Sequence, residues 1–209
     1  AYYGIATVRA VENFPISGLR AHPSLVRATA LIKRAAAAAN RDLGLLDRRK
    51  AGAIIRACGE VIRGGLADQF PVDVFQMGAG TSFHMNVNEV LAGRAAEILG
   101  GRRGDVGLVH PNDHVNLGQS TNDVFPAAMR LACRLELDRH LLPALDRLAA
   151  ELRRKGREFG RIVKSVDEGL QRVASRRIRQ AQRVRRDHSH PWLPRPHEIH
   201  IAAQRAIIL

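Results

Sequence analysis

A chain of 209 residues, 45% hydrophobic and only 4% aromatic, can bury a sizeable core as one large domain or two small ones. Ala, Leu, Arg and Gly abound, which favours helix packed on helix and argues against a β-sandwich. The formal net charge of +13 admits an anionic partner, yet the basic residues are scattered and not interleaved with aromatics, which disfavours nucleic acid.

Residues 1–22 read as irregular, punctuated by Pro15 and Gly18 and followed by Pro23. The start has no signal-peptide layout, and no run approaches the roughly 18 apolar residues of a membrane span. The expectation is a cytoplasmic protein without a membrane partner; the missing initiator Met points to processing or to a fragment. Apolar residues at helical spacing (Leu25, Ala28, Leu31, Ile32, Ala35) predict a helix over Ser24 to Asn40, stopped by Gly44. Ala53, Ile54, Ala57, Val61 and Ile62 predict a second over Arg48 to Arg63. The stretch DQFPVDVFQMGAGTS reads as an extended segment ending in a Gly-rich turn, before a third helix from about Met85 to Leu99. A polar loop follows.

From about Asn122 the pattern is helical almost to Val163, with Pro126 in the first turn, where a missing N–H is harmless, and Pro143 as a kink or break. The repeat Met129, Ala132, Cys133, Leu135, Leu137, then Leu145, Leu148, Leu152 predicts long amphipathic rods that need partners. Cys58 and Cys133 fall in apolar helical patterns, which predicts buried free thiols in a reducing compartment, and neither has metal-ligand spacing. After Lys164 the composition changes abruptly to Arg, His and Pro without Lys. Gly169 to Arg186 could form a basic helix with a thin apolar face, and the end reads as weakly foldable.

Two helix starts carry unusual chemistry. The first N–H groups of a helix lack intrahelical partners and carry partial positive charge, so an anion docks there. QSTND puts Ser120, Thr121 and Asn122 at one such start; GAGTSFHMN puts Thr81 and Ser82 at another, with Gly78 and Gly80 permitting close backbone approach. Neutral, hydroxyl-rich starts suit a small dicarboxylate better than a polyphosphate, whose loop would add a Gly-Lys-Ser/Thr signature that is absent. The plainer alternative is that Ser120 and Thr81 only cap helices and the amides only satisfy loop backbone. His110 and His114 could act as bases near neutrality or as structural hydrogen-bonders. HPNDHVN lacks zinc spacing.

Three long segments carry a resemblance: YYGIATVRAVENFPISG, DQFPVDVFQMGAGTSFHMNVNEVLAGRAAEILG and VHPNDHVNLGQSTNDVFPAAM. Over roughly residues 1–164 the chain resembles the class II fumarase/aspartase superfamily. Tyr2-Tyr3-Gly4, Asp68-Gln69-Phe70-Pro71 and Ala79-Gly80-Thr81-Ser82 lean towards its aspartate ammonia-lyase branch, with fumarate hydratase as the alternative. The resemblance implies a mainly α fold: an N-terminal lyase domain over 1–119, the first part of a central long-helix bundle over 120–164, and a divergent, poorly ordered basic tail over 165–209. It implies a homotetramer acting on L-aspartate or fumarate, with no organic cofactor and no metal site. Carried over by position, Thr81, Ser120, Thr121 and Asn122 would hydrogen-bond the substrate, and His110 and Asn112 match a second anion-binding stretch. A base would remove a proton beside the β-carboxylate, leaving an aci-carboxylate whose charge fixed donors stabilise.

This sequence departs from the family in three places. The Gly-Arg-Thr run expected after IVK is replaced from Ser165 by VDEGLQRV, the Gly-Ser-Ser loop that supplies the serine base is not in the 209 residues, and His84 stands where Asn is usual. The first two predict a reading-frame shift near Lys164 to Ser165 and a truncated lyase with binding residues but no catalytic residue of its own. The competing reading is a non-catalytic remnant with a basic, nucleic-acid-binding tail.

Overall fold

The computed structural model describes residues 1–160; the expectations of a basic helix over 169–186, of a poorly ordered end and of a reading-frame shift fall outside the described residues. The fold is mainly α, and no strand occurs among the described residues. Among the described residues, 1–134 form one compact unit and 135–160 belong to a second. No helix of the described residues is long and apolar enough to cross a membrane.

The first unit is built on three helices: α2 (Pro23–Asp42), α3 (Arg48–Ile62) and α4 (Thr81–Ile98). Proline at the start of α2 and the Asp47 side chain, which accepts from the N–H groups of Arg49 and Lys50 at the start of α3, set two of the boundaries. The three pack through small residues. Ala30 and Ala37 on α2, Ala53, Ala57 and Cys58 on α3, and Val87, Val90 and Leu91 on α4 share one core. Alanine faces let the backbones approach closely, and Phe83 and Phe70 fill the remaining volume.

The N-terminal segment is a correction to the sequence reading. Ile5–Asn13 is a helix, α1, not irregular chain. No side chain of its own caps it. Instead the buried carboxylate of Glu89, on α4, accepts from the N–H groups of Gly4, Ala6 and Thr7 at 2.9–3.0 Å and from the Thr7 hydroxyl at 2.6 Å. A negative charge set against a helix N-terminus satisfies its orphan donors and its dipole together. That cap lies more than eighty residues away in sequence, so no local signal announces it.

The stretch read as extended is instead a 3₁₀ turn, Ala67–Gln69, followed by irregular chain whose one β-bridge pairs Arg20 with Asp73. Burial alone would raise the Asp73 pKa, but donors from Phe75, Ser17 and Gly18 hold the carboxyl at about 2. These bonds spend on a loop the backbone groups that a strand would have paired. Helix α4 begins at Thr81, four residues before the expected start, because left-handed Gly80 turns the chain there.

Helix α5 spans Thr121–Glu136. Pro126 lies inside it rather than in its first turn, so the Asn122 carbonyl lacks its i+4 partner. Within the first unit α5 buries one stripe, Val124, Ala128 and Ala132, with Ala128 and Ala132 against Ala28 of α2. Cys133, one position round the helix from that stripe, is exposed, against expectation; Cys58 is buried. In the second unit a π-turn, Leu137–Leu141, leads into α6 (Leu142–Glu158). The wider turn takes up the backbone disruption expected of Pro143, which sits in the first turn of α6, where its missing N–H costs nothing. Helix α6 has no buried residue.

Candidate functional site

The starts of α4 and α5 meet. His84, in the first turn of α4, places its Nδ1 2.6 Å from the hydroxyl of Thr121, the first residue of α5. The Phe125 ring lies flat against Gly80, so closely that a Cβ there would come within 2.5 Å of it, and it meets Phe83 edge-on at 6.0 Å between centroids. Glycine at 80 is thus required twice, for its positive φ and for this contact.

Thr81, Ser120 and Asn122 are exposed at this junction and Thr121 is half-buried. Ser120 does cap α5, accepting from the Asn122 N–H at 3.3 Å. Thr81 caps nothing: the cap position is Gly80, which has no side chain to offer, and the Phe83 N–H is taken by Gln76 Oε1 at 2.6 Å. Ser120 thus carries a capping bond at the start of α5, and Thr81 carries none at the start of α4.

The amides ahead of α5 hold the loop. Asn116 Nδ2 donates to the Gln119 carbonyl, Gln119 Nε2 to the carbonyls of Val115 and Leu117, and Asn40 Nδ2, from α2, to the Leu117 carbonyl. Lys33 anchors the same loop from beneath, with Nζ 2.7 Å from Asn116 Oδ1. It is fully buried, and desolvation lowers its pKa to about 7. Burial, with the Lys33 charge added, holds the His84 imidazole down at about 3, so the ring is neutral near pH 7. The Cys58 thiol is pushed up to about 12 by burial.

Lys33 was not a candidate on sequence, although a signal existed. Val26, Ala30, Lys33, Ala37 and Asn40 recur at spacings of four and three, and all are buried. A lysine and an asparagine on the apolar stripe of a helix must each find a partner inside.

The stretch read as a polar loop contains a π-turn, Pro111–Val115, capped by His110. His110 Nδ1 accepts from the Asp113 N–H at 3.2 Å, and the His110 N–H donates to His114 Nδ1 at 2.7 Å. The second bond leaves Nε2 of a neutral His114 as its N–H donor, and that atom faces Lys50 Nζ at 3.0 Å. Desolvation, then the nearby Lys50, lowers the His114 pKa. Asn112 is exposed on this turn. Among the described residues no group of His, Cys, Asp and Glu is arranged to hold a metal ion.

Comparison with known proteins places this arrangement. A family model described as "Lyase" matches residues 1–173, past the Lys164 at which the motif resemblance ends. The chain is 54% identical over 180 residues to the class II fumarate hydratase of Halobacterium salinarum, covering 86% of this chain and 38% of that protein. It is 46% identical over 171 residues to the aspartate ammonia-lyase of a Bacillus species, covering 82% and 36%. Among solved structures it is similar to the fumarate lyase:delta crystallin of Brucella melitensis, at 54% identity and a TM-score of 0.75, over 78% of this chain and 38% of that one. The chain thus spans between a third and two fifths of the length of these relatives. It belongs to the lyase family of the fumarase/aspartase superfamily, of which it carries the N-terminal part.

Proposed function

We propose that this chain supplies the carboxylate-binding part of a lyase that adds water to, or removes it from, a four-carbon dicarboxylate of the fumarate/malate type. The observation that carries the reading is the His84–Thr121 hydrogen bond, which fixes the two hydroxyl-bearing helix starts side by side. Fumarate hydratase relatives at 54% identity, against 46% for the aspartate ammonia-lyase, favour hydration over loss of ammonia and reverse the preference drawn from the short motifs. Thr81, Ser120, Thr121 and Asn122 would donate to the substrate carboxylates and to the aci-carboxylate that forms when the neighbouring carbon loses a proton. Fixed dipoles at that point need no reorganisation as charge develops. His110 and Asn112 would line a second anion-binding stretch, in which His114 and Lys50 offer two donors with no acceptor between them. The serine-bearing loop is not in the 209 residues, so the proton-abstracting group would come from chain outside them.

Calorimetric titration of the purified chain tests this. Fumarate and L-malate are expected to bind saturably and L-aspartate more weakly, and Thr121→Val should weaken fumarate binding about tenfold, the loss of one hydrogen bond to a charged group. Tighter binding of aspartate would restore the ammonia-lyase reading; no binding of any of the three would end both. The chain alone is expected to leave the fumarate absorbance unchanged.

We also assign 1–119 to the N-terminal lyase domain and 120–164 to the start of a bundle completed by other copies in a homotetramer. Leu141, Leu148 and Leu152 are about half exposed, an apolar stripe of the kind that other helices cover. Sedimentation velocity should show concentration-dependent association that the Leu148→Glu, Leu152→Glu double variant reduces. Identical profiles would remove the support that α6 gives to the bundle.

A further inference from the structure

We propose that His84 is a positioning residue: its Nδ1–H donates to Thr121 Oγ1 and so frees the Thr121 hydroxyl hydrogen for a substrate carboxylate. The inference rests on the dicarboxylate reading above and adds to it which way the central hydrogen bond runs.

A hydroxyl has one hydrogen and two lone pairs, and a neutral imidazole has one N–H and one bare nitrogen. The 2.6 Å contact therefore has two possible polarities. In one, Thr121 gives its hydrogen to Nδ1 and keeps only lone pairs for the site, which would repel a carboxylate. In the other, Nδ1 gives the hydrogen and Thr121 keeps its own.

The ring's other side decides between them. His84 is only 2% exposed, and its Nε2 is buried without any hydrogen-bond partner. A hydrogen on Nε2 would be an orphaned buried donor, which folded proteins avoid more strictly than an orphaned acceptor. This places the hydrogen on Nδ1.

Thr121 is half-buried at the first position of α5, where the N–H groups of Asn122, Asp123 and Val124 are already taken by Ser120. With its hydrogen free, the Thr121 hydroxyl adds a donor that these occupied N–H groups do not offer. The Thr121 hydroxyl then presents its hydrogen to an anion, with one of its two lone pairs held by His84.

The test uses the full chain with ¹⁵N-labelled histidine in magic-angle-spinning NMR, the His84 ring being identified by its correlation to Thr121 Cβ. The expected spectrum at neutral pH shows a protonated Nδ1 and a bare Nε2. A protonated Nε2 or a doubly protonated ring overturns the proposal. A second arm titrates fumarate. His84→Leu, which removes the donor, is expected to weaken binding about tenfold. His84→Asn, whose amide nitrogen falls where Nδ1 lies, should recover it to within about threefold. Equal weakening in both variants, with helical circular dichroism intact, overturns the proposal as well. If the unaltered chain binds no dicarboxylate, the functional reading fails alone, and the ring's tautomer still decides the polarity of the bond.

Discussion

Glu89→Ala is expected to lower the unfolding free energy of the N-terminal unit by about 3–5 kcal/mol, since hydrogen bonds to a charged group contribute about 1.5–3 kcal/mol each and do not sum fully. The carboxylate accepts from three backbone N–H groups and one hydroxyl, all at or below 3.0 Å. Alanine leaves these donors facing a buried space that water would have to enter. It also removes the negative charge that opposes the dipole of α1. Glu89→Gln is a finer probe: the amide oxygen keeps one acceptor, but the NH₂ turns a donor towards donors, so the loss should remain above about 1 kcal/mol. Urea unfolding measures both. Amide exchange at Gly4, Ala6 and Thr7 should accelerate before the rest of the unit responds. A loss below 1 kcal/mol for the alanine variant would mean that α1 is not held by this carboxylate.

The second large effect is in acid. The folded chain holds His84 at about 3, against an ordinary imidazole value of 6.5. Between those values the unfolded chain binds a proton that the folded chain refuses, so stability falls as pH drops from about 6.5 towards 3 and is intact above that window. Integrated over the window, the loss is on the order of 3–4 kcal/mol. Asp73 and Glu97 are each held at about 2. Their contributions disappear only as pH falls below about 4, and they do so in any variant that keeps them. Urea midpoints for the unaltered chain and His84→Asn should therefore diverge between pH 6.5 and 4. Parallel curves would mean that His84 takes up its proton without cost and is not enclosed as described.

Lys33 works in the opposite range. Its pKa is lowered from 10.5 to about 7, so the unfolded chain again binds the extra proton, and stability rises as pH increases from about 7 to 10. A buried ammonium and a buried imidazole acting on each other favour the state in which the ring stays neutral. That is the condition under which His84 can orient Thr121.

How much of this was legible differs from element to element. Helices α2 and α3 appear within two residues of their expected limits, because apolar spacing and local caps are properties of neighbouring residues. The hydroxyl-bearing helix starts were legible for the same reason. Helix α1 was not, since the group that caps it belongs to α4. The exposure of Cys133 was missed because α5 offers the first unit a stripe only one residue wide per turn, and periodicity gives the stripe without its width. His84 stood out only as an unusual residue within a motif; its orphaned nitrogen and its suppressed charge come from what encloses it.

Taken by itself, the order of residues determined the helical class, the limits of α2 and α3, and the placing of Thr81 and the Ser120–Asn122 run at helix beginnings. All of these depend on contacts within a turn or two of the chain. Tertiary structure alone decided that the two beginnings touch, that Lys33 is enclosed, and that His84 is neutral. Those outcomes depend on the removal of water by segments tens of residues apart, and desolvation is a property of the packed volume.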